Sequence, residues 1–238
     1  MAVLPPPTNH NNMKSIQTRN RGFTLIELLV VISIIAMLAA SGFAGYSKIM
    51  PGVKASTASK TGRDIFTMLS AWAADNDQTF PVATQYSNDA FKELFKKQLV
   101  DTEKLFAIAG DAWHETSPSG DKKGPDNNIG TSPDYDQALM PGECAWAYTT
   151  GLETASNSLL PLLANGFSET VGTYTKEKNK KGGVFNGMKN AWVSVTGSAK
   201  VGDLSPDFKC MEKKGTQTVD VFSIDWGTNP DDVKNPQG

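Results

Sequence analysis

Glu27 is the residue whose position most invites a chemical explanation. It is the one charge between Arg21 and Lys48, in a run of Leu, Ile, Val, Ala and Ser. An uncharged helical run of about 20 residues can cross a bilayer. A carboxylate at the centre of such a run costs about 2.5–3.5 kcal/mol on insertion scales, and less near its end, so it more often marks a function than an accident. A chain that needed only an anchor would do better with Leu here. The natural partner of a lone acid in lipid is a cation from another chain. A free α-amine, made by cutting the chain just before the apolar run, would serve.

The rest of the sequence offers little for catalysis. There is no Gly-x-Gly phosphate or dinucleotide loop and no Gly-x-Ser-x-Gly elbow. His10 and His114 are the two histidines, and no second His stands four residues from His114, so a zinc-protease helix is absent. Cys144 with His114 could form a thiol–imidazole pair on residue type alone. A part-exposed loop histidine beside Trp113 is the plainer reading. Cys144 and Cys210 could be joined as a disulfide in an oxidising compartment, or remain two free buried thiols. Hard cations take several oxygens from flexible loops, and two stretches supply them: residues 121–136, and the C-terminal run carrying Asp225, Asn229, Asp231 and Asp232. Neither has an EF-hand pattern, and a solvated acidic loop explains both without a metal. The formal net charge is -2 and no basic block beyond the N-terminal part exceeds a few residues, so no nucleic-acid partner is expected.

The run Gly22-Phe23-Thr24-Leu25-Ile26-Glu27, preceded by Lys14, Arg19 and Arg21 and followed by the long apolar stretch, resembles the prepilin signature of type IV pilins and type II secretion pseudopilins. The resemblance implies cleavage by a membrane prepilin peptidase after Gly22 and methylation of the new amino terminus at Phe23. It also implies pairing of Glu27 with the Phe23 amine of a neighbouring subunit during fibre assembly. Partners implied are copies of the chain itself, other pseudopilins, the peptidase, and the assembly platform protein and ATPase of a secretion system. No cofactor is required. Calcium in the C-terminal loop, at Asp225, Asn229, Asp231 and Asp232, is a habit of the major pseudopilins that the resemblance extends to this chain. The cations before the apolar run place that end in the cytoplasm, and the resemblance implies that the remainder lies in the periplasm, across a bacterial inner membrane. Two other readings stay open: a minor pilin or adhesin that binds a surface, DNA or sugar, and a membrane-anchored enzyme. Ala39-Ala40-Ser41 also mimics the cleavage site of an ordinary secretory signal.

These residues need elements to position them. Residues 1–22 read as a cleaved leader whose Pro/Asn-rich beginning has no apolar period, and Met13 looks like a second start. Residues 23–50 read as a transmembrane helical segment and 51–238 as one periplasmic α+β domain. Pro51 is expected to kink the helix or interrupt its ladder. Beyond it, Ile65, Leu69, Trp72 and Ala73 fall on one face, and Trp72 reads as core. Asp75-Asn76-Asp77 and Phe80-Pro81 end the helix, an acidic turn and aromatic–Pro step that resemble those of the major, G-type pseudopilins. Residues 87–109 suggest a second helix capped by Ser87 or Asn88, with 102–108 as a further turn or a first strand. Residues 110–142 form a long loop. Strands are expected at 143–148 and, irregularly, around 158–167; residues 174–181 look solvated. A hairpin joins 191–195 to 199–204 through Thr196-Gly197-Ser198. The tail from Asp225 is expected to wrap the surface or fray. The sum is a pilin-like α+β fold, a long N-terminal helix laid on a small antiparallel sheet.

Overall fold

The computed structural model describes residues 23–114 and 124–238, the side chains of 42–44 excepted. The expected leader, Gly22 included, lies outside the described residues. The described residues fall into two compact units, one ending at Gly45 and the other beginning at Tyr46. One helix, α1 (Leu25–Ala74), is assigned across the boundary and carries Pro51 within it. The helix therefore does not end at Pro51. Proline removes a single donor from the ladder, and the turns on either side retain theirs.

In the first unit, the large apolar side chains of α1 from Leu25 to Leu38 are all exposed, as is Phe23 before it. Burying one Leu or Ile is worth about 1.5–3 kcal/mol, so a whole helix left bare in this way is built for an apolar surrounding. Its few hydroxyls are turned inward: Ser33 Oγ donates to the Leu29 carbonyl at 2.7 Å and Ser41 Oγ to that of Met37 at 3.0 Å. Such back-bonding removes the cost of a polar group in lipid.

In the second unit, α1 becomes amphipathic. Pro51, Ala55, Ala58, Gly62, Ile65, Leu69 and Ala73 are buried at steps of three and four, one stripe of a 3.6-residue helix. The helix ends at a tight turn where Asp77 and Gln78 adopt positive φ of 51° and 61° and the Gln78 amide bonds back to the Ala73 carbonyl. The stripe rests on an antiparallel sheet of five strands: β1 (Trp146–Thr149), β2 (Pro161–Asn165), β3 (Lys189–Ser194), β4 (Ala199–Asp203) and, numbered in chain order, β7 (Val233–Lys234). The spatial order is β4-β3-β2-β1-β7. Gly62 is where helix and sheet come closest. A Cβ there would sit 2.9 Å from the Trp146 ring and 2.9 Å from a Val193 methyl.

The central strands are buried on consecutive residues, all but the half-buried Lys189 at the start of β3, not on alternate ones. The reason is a second apolar layer. Trp146, Tyr148 and Val193 face the α1 core, while Ala147, Ala164 and Trp192 join Phe167, Tyr174, Phe222 and Trp226 in a separate cluster. A separate hairpin, β5 (Met211–Lys214) with β6 (Gln217–Asp220), turns at Gly215, where φ is +65°.

The second helix, α2, spans only Ser87–Lys96, and residues 103–106 form a short 3-10 turn. Asp89 caps α2, its Oδ2 accepting from the amides of Thr84, Gln85 and Tyr86. Ser87 and Asn88, expected as caps, instead tie the fold together: Ser87 Oγ donates to the Trp146 carbonyl at 2.6 Å and Asn88 Nδ2 to that of Leu139 at 2.8 Å. The tail does not fray. Gln237 donates to Asn88 Oδ1, its carbonyl accepts from Gly142, and Asn235 accepts from Phe167 and donates to Ser168.

Candidate functional site

The start of α1 is built from Thr24 and Glu27. The Thr24 amide and hydroxyl both donate to Glu27 Oε2 at 2.8 Å, and the Glu27 amide donates back to Thr24 Oγ at 3.3 Å. This is a capping box, in which two helix-end donors are satisfied reciprocally. Phe23 stands exposed beside it, 83% accessible. Thr24 was visible in the sequence as the first residue of a Thr-x-x-Glu pattern, but the signal was overshadowed by the charge of Glu27. The arrangement shows a local duty for Glu27 within its own helix, and leaves it exposed and accepting at the end of an apolar surface.

Elsewhere, the thiol and imidazole that residue type alone could pair are both engaged with the backbone. His114 is buried, not part-exposed: its Nδ1 meets the Gly142 carbonyl at 3.1 Å and its Nε2 lies 3.2 Å from the Ile108 amide, with the ring kept neutral by burial. The Cys144 thiol is pushed up to about 12 by burial and its sulfur bonds to the Trp146 amide and carbonyl. Neither group is free to act on a substrate as a nucleophile–base pair. Of the two readings open for the cysteines, the structure takes the free one: Cys144 and Cys210 are separate buried thiols in different apolar clusters, so no disulfide joins them. Trp72 packs against the core from a half-buried position. Tyr174, expected in a solvated loop, is buried in the second cluster, and its hydroxyl lies 3.4 Å from the Asn165 carbonyl.

Asp225, Asn229, Asp231 and Asp232 lie together in sequence, and among the described residues Asp225, Asp231 and Asp232 do not form a converging acidic group. Asn229 Oδ1 accepts from the Asp231 amide, capping a 3-10 turn at Pro230–Asp232, and Asp225 and Asp231 face solvent. Among the described residues, the acidic side chains that converge are others: Glu103, Asp126 and Glu143, with carboxylate oxygens within 4.8 Å of one another. Asp126 comes from the first of the two oxygen-rich stretches. Glu103 and Glu143 were not singled out by the sequence, because nothing in their surroundings there predicts that they are buried.

Residues 17–43 match the family described as the prokaryotic N-terminal methylation motif. Gly22, Phe23, Thr24 and Glu27 all fall inside the match, which supports the resemblance to type IV pilins and pseudopilins. No curated protein and no solved structure matches the chain significantly.

Proposed function

We propose that this chain is a structural subunit of a type II secretion pseudopilus or a closely related type IV pilus-like fibre. The methylation motif indicates a pilin-like precursor processed by a prepilin peptidase and points to a structural protein. The observation that carries the fuller reading is the pairing of that motif with an α1 surface whose large apolar side chains are exposed from Leu25 to Leu38 and an exposed Glu27 at its head. In this reading the peptidase cuts after Gly22 and methylates Phe23. Bare helices pack side by side to form the fibre core, and the α+β domains coat it in the periplasm. Each Glu27 receives the Phe23 amine of a neighbour, because two opposite charges in lipid gain far more by meeting than either gains alone. Force comes from a partner ATPase acting through an inner-membrane platform; a structural role leaves this chain without catalysis of its own.

The variant Glu27→Ala tests this directly. Processing is expected to proceed, since the cut lies before Phe23, while fibres fail to form. Normal fibres from that variant would contradict the role given to Glu27. The extra domain layers and the laced tail suit either a major subunit or a tip-located minor one. Copy number in purified fibres distinguishes them.

A further inference from the structure

The second unit's part of α1 carries its charges in two blocks. Across residues 46–63 the only charges are cations: Lys48, Lys54, Lys60 and Arg63. Across residues 64–91 the only charges are acids: Asp64, Asp75, Asp77 and Asp89. Lys54 and Asp89 are used within the domain, since Lys54 Nζ donates to the Ala109 carbonyl at 3.2 Å and Asp89 caps α2. Lys60, Arg63, Asp64, Asp75 and Asp77 are exposed. Glu153, the one charge between Glu143 and Glu169, is brought to the acidic end by its antiparallel bridge with Thr79. The Thr154 amide fastens it there by donating to the Gln78 carbonyl at 2.8 Å. Among the described residues, no ion pair involves Lys60, Arg63, Asp75, Asp77 or Glu153.

Both blocks lie on one outward stripe. Ile49, Val53, Lys60, Thr67, Ala71 and Asp75 are exposed at steps of four and seven, opposite the stripe that rests on the sheet. Ile49 and Val53 are large apolar side chains left bare, and Thr67 and Ala71 are short enough to let another helix come close. A helix rises 1.5 Å per residue, so Lys60 and Asp75 stand about 22 Å apart along the axis. Two parallel copies at equal height would set cation against cation and acid against acid. Raising one copy by that distance sets the cations against the acids. We propose that this stripe docks a second copy of the chain, parallel and staggered by about 22 Å. Lys60 and Arg63 of one copy then face Asp75, Asp77 and Glu153 of the other.

The contact rests on the fibre reading above, in which every copy points the same way. It is head-to-tail: each copy keeps one free cationic block and one free acidic end, so the contact repeats without closing, as an open filament requires. Exposed ion pairs add little affinity by themselves. What complementary charge supplies is register, because it penalises the alignments that set like against like. The apolar side chains of Ile49 and Val53 supply attraction, and the charges select the height. An antiparallel copy would also bring Lys60 to Asp75, but that pair closes on itself and stops at two chains.

Cross-linking in fibres of the full chain tests the stagger. Lys60→Cys and Asp75→Cys are placed in one chain, and the fibres are treated with a short bismaleimide. Cys144 and Cys210 are buried, so wild-type fibres serve as the blank. A ladder of dimers, trimers and longer species is expected from the double variant and from neither single one. Normal fibres without a ladder, or a ladder from Lys60→Cys alone, overturns the stagger; a product that stops at the dimer overturns it in favour of the antiparallel pair. Charge reversal gives a second reading should the cysteine variant not assemble. Lys60→Glu is expected to lower fibre yield about tenfold, and Asp75→Lys in the same chain to restore it. Both positions are exposed, so the melting temperature should not change. Loss without rescue overturns the pairing and assigns the cations to another anionic surface, such as lipid headgroups. Absence of fibres from the wild-type chain would overturn the fibre reading and this contact with it, whereas normal fibres lacking the ladder overturn the contact alone.

Discussion

At the scale of single residues, Glu27 carries two duties that compete. In the isolated chain it accepts from Thr24 and completes the cap of α1. In the proposed fibre the same carboxylate must also receive a neighbour's amine. A carboxylate has about four acceptor sites on two oxygens, so the roles are compatible only if Thr24 occupies one oxygen, as it does here with Oε2. Thr24 is therefore a positioning residue for Glu27. Thr24→Ala is expected to weaken the helix start by about 0.5–2 kcal/mol, the usual cost of a lost N-cap. The Glu27 amide, which bonds to Thr24 Oγ, should then exchange faster with solvent. Unchanged protection of that amide would show that the cap is not held by the threonine.

At the scale of elements, the decisive contact is α1 on the sheet at Gly62. The ideal Cβ position lies 2.9 Å from an indole ring carbon that the surrounding core holds in place. Gly62→Ala gains helix propensity but forces the helix off β1 and β3, and overpacking of this kind costs about 1–3 kcal/mol. A domain of this size should lose about 2–4 °C of melting temperature per kcal/mol. A melting temperature that holds or rises would mean the helix can shift without cost. Gly62 was not legible in the sequence, since a glycine among polar residues looks like a weak point, not a close approach. What was legible came from periodicity: Ile65, Leu69 and Ala73 gave the buried stripe, and the Gly197 turn gave the β3–β4 hairpin. The β5–β6 hairpin escaped notice because Met211-Glu212-Lys213-Lys214 is charged and exposed, with no apolar alternation to announce it. Ser87 and Asn88 read locally as caps, whereas their partners, Trp146 and Leu139, lie far along the chain.

At the scale of the whole molecule, two units of opposite solvent preference share one chain. One exposes a continuous apolar helix; the other buries two aromatic-rich layers on either side of a sheet and closes them with its tail. The methylation motif that residues 17–43 match was legible because it depends on local order: a glycine, a phenylalanine and a glutamate before an apolar run. The convergence of Glu103, Asp126 and Glu143 was not, because the three residues lie far apart in the sequence. The claim on which the account turns is that the chain is cut before its bare helix and keeps that helix. Mass spectrometry of the native amino terminus tests it most directly. The account predicts a chain beginning at Phe23 and carrying one added methyl group on its amine. A terminus that retains Gly22 and the residues before it, or one that begins beyond Ala39-Ala40-Ser41 with the apolar helix removed, would contradict it.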